Sequence, residues 1–259
     1  MLGALAGDII GSRFEHANIQ RKDFALFHPE CTFTDDSVLS IALAESLLDQ
    51  QDFAEALRRY YQNYPHAGYG GYFHRWAQDP DMGPYNSFGN GSAMRTSPVG
   101  WYYDDLKQAL AAAQDQAAVT HDHPEGIKGA QAVVAAIQLA RQGKSKKEIK
   151  ADIQWRCGYD LQRRLDDIRP NYVFDVTCQG SVPEAIIAFL EAQDFEDAIR
   201  NAISLGGDSD TIACITGSIA EAFFGGVPSA ITQEMFKRLD PALAEVTQRF
   251  YREVVEPRL

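Results

Sequence analysis

Thr34-Asp35-Asp36-Ser37-Val38-Leu39-Ser40-Ile41-Ala42 sets two carboxylates at the head of an apolar run. Gly206-Gly207-Asp208-Ser209-Asp210-Thr211-Ile212-Ala213 repeats the arrangement near the other end of the chain. Each stretch continues at helical spacing, through Val38, Ile41, Ala42 and Leu48 after the first and through Ile212, Ile215, Ile219 and Phe223 after the second. Ile127, Ala130, Val134, Ile137 and Ala140 mark another such face. The opening Met1–Gly7 is apolar but is cut by Asp8, Arg13 and Glu15, too short for a signal peptide or a membrane span, so it reads as a buried first helix. Alternating strand patterns are scarce, and the expected class is all-α.

The acidic heads admit two readings. Thr34 and Asp208 can each accept a backbone N–H at a helix start, and acidic residues in a first turn favour the helix dipole. Alternatively, the carboxylates converge on one or two divalent cations, because aspartates facing one point repel unless a positive charge lies between them. The shared pattern of a Thr with two Asp favours a metal site. Carboxylate, hydroxyl and water oxygens suit Mg²⁺ or Mn²⁺, and no Cys/His spacing points to zinc.

Composition narrows the field further. A 259-residue chain with 45% hydrophobic content can bury a large core as one domain, residues 1–259. A net charge of −12 argues against gripping nucleic acid through a basic surface. An anionic ligand must then be held locally by helix N-termini, Gly-rich backbone or cations. Cys31, Cys157, Cys178 and Cys214 form no C-x-x-C pair and follow no secretory segment, which predicts a reducing cytoplasm. No membrane attachment is expected, and a monomer is the default.

Between the heads, residues 64–92 interleave glycines with Tyr64, Tyr69, Tyr72, Phe73, Trp76, Tyr85 and Phe88, the composition of an irregular loop that suits a ligand rim or a plain surface connection. Ser181-Val-Pro-Glu184 has the spacing of a capping box before Ala185–Leu190. Asp194 is placed to cap Phe195–Ser204, and Lys144–Lys150 reads as a solvated linker or a helix start.

Ordered blocks along the chain resemble the ADP-ribosylglycohydrolase family, which includes dinitrogenase reductase-activating glycohydrolase and the ADP-ribosyl-acceptor hydrolases. They are Gly3–Glu15, Phe33–Ser37, Ser87-Phe-Gly-Asn-Gly-Ser-Ala-Met-Arg95, Thr120-His-Asp-His-Pro-Glu-Gly126 and Gly206–Ala213. The resemblance implies a compact, orthogonal multi-helix fold with a binuclear metal cleft holding two Mg²⁺ or Mn²⁺. Carried over residue by residue, it makes Thr34, Asp35, Asp36, Asp208, Asp210 and Thr211 metal ligands. It makes Ser87, Phe88, Gly89, Asn90, Gly91 and His121 substrate contacts, with Asp35 or Glu15 handling protons. Asp8 matches a residue that orients its neighbours. Ser37 stands where many members carry a second threonine, and Ser209 occupies a variable position.

The implied reaction is hydrolysis of the glycosidic bond between ADP-ribose and an acceptor, on a protein or a small-molecule conjugate. Serine, a nucleic-acid base and O-acetyl-ADP-ribose are alternatives to arginine, which an acidic rim at Asp79 and Asp81 would favour. His121-Asp122 alone suggests a His-Asp phosphohydrolase but leaves both Thr/Asp clusters unexplained. A binding protein that has lost catalysis is the remaining rival.

Overall fold

The computed structural model describes residues 1–259. Its helices are α1 (Leu2–Gly11), α2 (Asp35–Asp49), α3 (Phe53–Asn63), α4 (Gly71–Gln78), α5 (Gly91–Met94), α6 (Ser97–Tyr102), α7 (Leu106–Ala118) and α8 (Pro124–Arg141), followed by α9 (Lys146–Cys157), α10 (Leu165–Ile168), α11 (Cys178–Glu191), α12 (Phe195–Ile203), α13 (Ser209–Phe224), α14 (Ser229–Phe236) and α15 (Pro241–Phe250). The chain is all-α. One isolated bridge between Gly89 and Thr177 is the sole β-type pairing. No helix is long and apolar enough to cross a membrane.

Helix α1 is buried at every residue, as a helix apolar on all sides must be. It lies along α13, and glycines set how closely. A Cβ on Gly3 would fall 2.1 Å from the Gly217 carbonyl oxygen, and one on Gly7 would fall 2.1 Å from that of Ala213. At Gly11 the obstacle would be the Asp210 Cα, at 2.6 Å. Spaced four apart, these glycines form one stripe of α1 and bring its backbone against that of α13. Glu221 on α13 accepts the backbone N–H groups of Leu2 (3.1 Å) and Gly3 (2.9 Å), satisfying orphan donors at the start of α1.

Asp8 joins α1 to α2. Its buried carboxylate accepts from the Thr34 amide (3.0 Å), the Thr34 hydroxyl (2.6 Å), the Ser37 amide (3.1 Å) and the Ser37 hydroxyl. A buried carboxylate is tolerable only when satisfied in this way. Burial raises the Asp8 pKa, and the bonds from Ser37 and Thr34 oppose that rise.

Two expectations need correction. The 181–184 segment does not start a helix, because Thr177 caps α11 a turn earlier by accepting from the Gly180 amide at 3.1 Å. Backbone bonds from Asn90 to Val176 and from Cys178 to Phe88 pin that earlier start. Ser181 instead donates to the Thr177 carbonyl, and Glu184 pairs with Arg163 at 2.6 Å. Residues 64–92 are likewise not irregular throughout. Phe73 and Trp76 form the buried face of α4 and pack on each other, while Tyr69 just before the helix stacks on Phe73 and both meet Tyr61. Asp194 does cap α12, which ends at Ile203, and Ser145 with Glu148 makes a capping box that carries the basic run into α9.

Gly7→Ala is expected to destabilise the protein by about 1–3 kcal/mol through overpacking, although alanine gains nearly 1 kcal/mol of helix propensity. Urea unfolding would measure it. Unchanged stability would show that α1 and α13 can separate without penalty.

Candidate active site

The N-termini of α2 and α13 open onto one cavity of about 450 Å³, closed on other sides by the Ser87–Gly91 loop, His121, the start of α4 and Phe174. Thr34, Asp35, Asp36, Asp208, Asp210 and Thr211 all line it, as does Glu15. Gly206 and Gly207, both at positive φ, turn the chain into α13, and Asn18 clamps the turn by accepting from the Gly207 amide (2.7 Å) and donating to the Gly207 carbonyl (2.9 Å).

Carboxylate oxygens of Asp8, Asp36 and Asp210 lie within 4.8 Å of one another, as do those of Glu15, Asp208 and Asp210. Asp210 belongs to both trios. The Thr211 hydroxyl donates to Asp36 Oδ2 at 3.2 Å, while Asp36 Oδ1 is buried without any partner. Asp35 stands outside both trios, half-buried, with its amide bonded to the Ala67 carbonyl at 2.7 Å. Its Oδ1 lies 3.5 Å from where a Gly68 Cβ would be.

No Lys or Arg pairs with any of these aspartates. Burial, then mutual repulsion, pushes Asp35, Asp36 and Asp210 well above the usual carboxylate range. Burial also raises Asp208, against a hydrogen bond from Asn90, and raises Glu15. The set is therefore rich in hard oxygen donors and short of positive charge, with one buried oxygen left unsatisfied. Those are the conditions under which a divalent cation binds.

Capping accounts for less of this arrangement. Thr34 does accept the Asp36 amide at 3.3 Å, but the Asp208 side chain takes no N–H at the start of α13. It accepts instead from Asn90 Nδ2 at 2.7 Å, so the Gly-rich loop is tied directly to the acidic cluster.

Ser87, Gly89, Asn90, Gly91 and His121 line the same cavity, but Phe88 does not. Its ring is 44% exposed and packs edge-on against His123 at 5.3 Å. Asp79 and Asp81 lie away from the cavity lining, and Asp79 is engaged by the Asp81 amide, so the acidic rim expected there is absent. Sequence reasoning passed over Arg95, Phe174 and Val176. Arg95 closes the Ser87–Arg95 block and is fully buried against the cavity. Phe174 and Val176 are large, exposed apolar residues in a segment without helical or strand periodicity, a recognisable signal for a binding rim. Tyr72, 64% exposed, stacks on Tyr85 at 5.8 Å across the mouth.

The ADP-ribosylhydrolase ARH3 of Gallus gallus is 26% identical over 308 residues, covering 87% of this chain and 84% of its own length. The ADP-ribosylarginine hydrolase Tri1 of Pseudomonas putida (strain GB-1) is 27% identical over 269 residues, covering 88% of this chain and 71% of its own. A solved structure described as an ADP-ribosylglycohydrolase-related protein complex superposes with a TM-score of 0.71 at 25% identity, covering 97% of this chain and 96% of that one. Residues 1–258 match the family model for ADP-ribosylglycohydrolase, and with nearly the whole chain so covered, the protein belongs to the ADP-ribosylglycohydrolase family.

Proposed function

We propose that this protein hydrolyses the glycosidic bond between ADP-ribose and an acceptor, with arginine the favoured acceptor, using two Mg²⁺ or Mn²⁺ ions. The observation that carries the reading is the pair of carboxylate trios sharing Asp210, unpaired with any Lys or Arg and bound through Asn90 to a Gly-rich loop. Thr34, Asp35, Asp36, Asp208, Asp210 and Thr211 would hold the cations. Bound there, such ions orient sugar hydroxyls and lower the pKa of a water.

The chain's own groups supply the rest. Ser87, Gly89 and Gly91 present backbone that a diphosphate can approach closely, with His121 beside them. Asn90 fixes that loop to Asp208. Proton handling falls to Asp35 or Glu15, both of which line the cavity with pKa values raised by burial. Either can hold a proton at the leaving acceptor atom.

The acceptor side is read from a second hollow of about 520 Å³ that shares Glu15, Thr34 and Gly68 with the cavity. It carries Glu30 beside Phe33 and Tyr64 and contains no Lys or Arg, which suits a guanidinium. The Pseudomonas relative, named for ADP-ribosylarginine, points the same way.

With Mg²⁺, the enzyme is expected to release free ADP-ribose from an arginine-linked peptide faster than from a matched serine-linked one, and chelation should abolish release. Asp210→Ala should lower kcat/KM by about 10²–10³-fold while the fold survives. Turnover that persists in chelator would sink the metal reading, and ADP-ribose binding without turnover would identify a non-catalytic member. Glu30→Gln should raise KM for the arginine-linked peptide about three- to fivefold and leave ADP-ribose affinity alone; an equal effect on both peptides would remove the hollow from acceptor recognition.

The pH dependence of the metal-free protein has a definite sign. Asp35, Asp36, Asp208 and Asp210 have folded pKa values above their unfolded ones. Their contribution to stability is thus fully present below the unfolded values and is lost as pH rises through the folded ones. Asp210→Asn should flatten this fall in chelator. Saturating Mg²⁺ or Mn²⁺ at pH 8 should raise the wild-type Tm by roughly 5–10 °C. Identical melting curves with and without cation would overturn the assignment.

A further inference from the structure

Arg95 is completely buried and has no carboxylate partner, an unusual position for a guanidinium. Its Nε donates to Gln116 Oε1 at 2.8 Å, and its Nη2 donates to the Gln116 carbonyl at 2.8 Å and to Thr120 Oγ1 at 3.0 Å. Gln116 is held in turn by donating from Nε2 to the Ser92 carbonyl at 2.9 Å. The chain of bonds continues from Thr120 Oγ1 to His121 Nδ1 at 2.7 Å. On the far side of the ring, His121 Nε2 lies 3.1 Å from where a Cβ on Gly91 would sit and 3.5 Å from one on Gly89.

The direction of these bonds follows from what each group can do. A guanidinium only donates, so Arg95 occupies one lone pair of the Thr120 oxygen. The hydroxyl keeps a single proton, and His121 Nδ1 lies 2.7 Å from its oxygen, in a bond whose direction is set by the tautomer. If Nδ1 carried a proton instead, the threonine would receive two donors and its own proton would have to turn to another acceptor, such as the neighbouring Tyr85 hydroxyl. We infer that Arg95 and Thr120 are positioning residues that fix His121 as its Nε2–H tautomer, so that a neutral imidazole presents one N–H donor to a phosphoryl oxygen seated on Gly89–Gly91. Burial first, and the Arg95 charge second, hold the ring's pKa well below that of free histidine, so it remains neutral. This inference rests on the reading of the Gly89–Gly91 loop as the diphosphate seat.

A fixed donor has a consequence for affinity. The acidic cluster lies in the same cavity, and a histidine free to protonate would be drawn toward those carboxylates. Locked as a neutral donor, it serves only the ligand's oxygens, and its ordering cost has already been met before the ligand arrives.

Nitrogen-15 NMR of the ligand-free protein, with Tyr85→Phe as a control for the competing hydroxyl, reads the tautomer directly. Calorimetry with ADP-ribose reads its consequence. His121 should be neutral with a protonated Nε2 and a bare Nδ1 in the wild type and in Tyr85→Phe. Thr120→Val should lose this preference and weaken ADP-ribose binding about tenfold. Thr120→Ser should restore both, which a purely structural role for the methyl group would not allow. A protonated Nδ1 in the wild type, or Thr120→Val binding ADP-ribose as tightly as wild type, would overturn the relay. Failure of the wild type to bind ADP-ribose would instead overturn the ligand assignment, whatever tautomer is found.

Discussion

The backbone contact between α1 and α13 is the constraint on which the rest of the molecule depends. Gly3, Gly7 and Gly11 remove every side chain from one stripe of α1, and the last of them faces Asp210 itself. Behind Asp210 the packing is therefore main chain against main chain. Asp8, one residue beyond Gly7, leaves the same helix in another direction and takes four hydrogen bonds from the start of α2. A single buried helix thus fixes both acidic heads, one through close packing and the other through a satisfied carboxylate. A wider spacing of α1 and α13 would separate Asp36 from Asp210 and dissolve the first trio.

That geometry opposes the stability of the chain by itself. Folding gathers Asp35, Asp36, Asp208 and Asp210 out of water with no basic partner, and their raised pKa values record the penalty. A protein selected only for stability would place a lysine there or exchange a carboxylate for an amide. Large apolar burial around α1, α8, α11 and α13 offsets the repulsion. Asn90 adds a polar link, because its amide donates to Asp208 and so makes the position of the Gly-rich loop depend on the acidic cluster. Two stretches of the cavity lining separated by more than a hundred residues in sequence are joined in this way.

Much of this was legible before the fold was known. The acidic heads, the buried first helix, the all-α class and the Asp194 cap follow from residue type and spacing, which local physics governs. At Asp208 residue type left capping and metal binding both open, with metal favoured, and its side chain caps no N–H but accepts from Asn90, a contact that only tertiary structure makes. The failures have specific causes. Ser181 to Glu184 matches a cap pattern that Thr177 pre-empts through its bridge to Gly89. Phe88 came from the family resemblance and Asp79 from its neighbourhood in sequence, and neither lines the cavity. The glycine stripe of α1 carried a readable signal in its spacing of four, and so did the aromatic face of α4.

Arg95 shows why a buried charge need not belong to the chemistry it supports. Its positive charge lies in the same cavity lining as the carboxylates, but its bonds run to Gln116 and Thr120 rather than to any acid. That separation keeps the acidic cluster open to an external cation, because an arginine paired with Asp35 or Asp36 would neutralise the site and compete with metal. The ligand end of the cavity is consequently committed: Asn90 to Asp208, His121 to Thr120, and the glycines to bare backbone. Few degrees of freedom remain there for telling one acceptor from another. Under the proposed function, discrimination among acceptors falls to the hollow beyond Glu15 and to the exposed rings of Tyr72 and Phe174 at the mouth. The proposed chemistry and an adjustable specificity can then share one cavity, since the residues that would have to change for the second are not those that build the first.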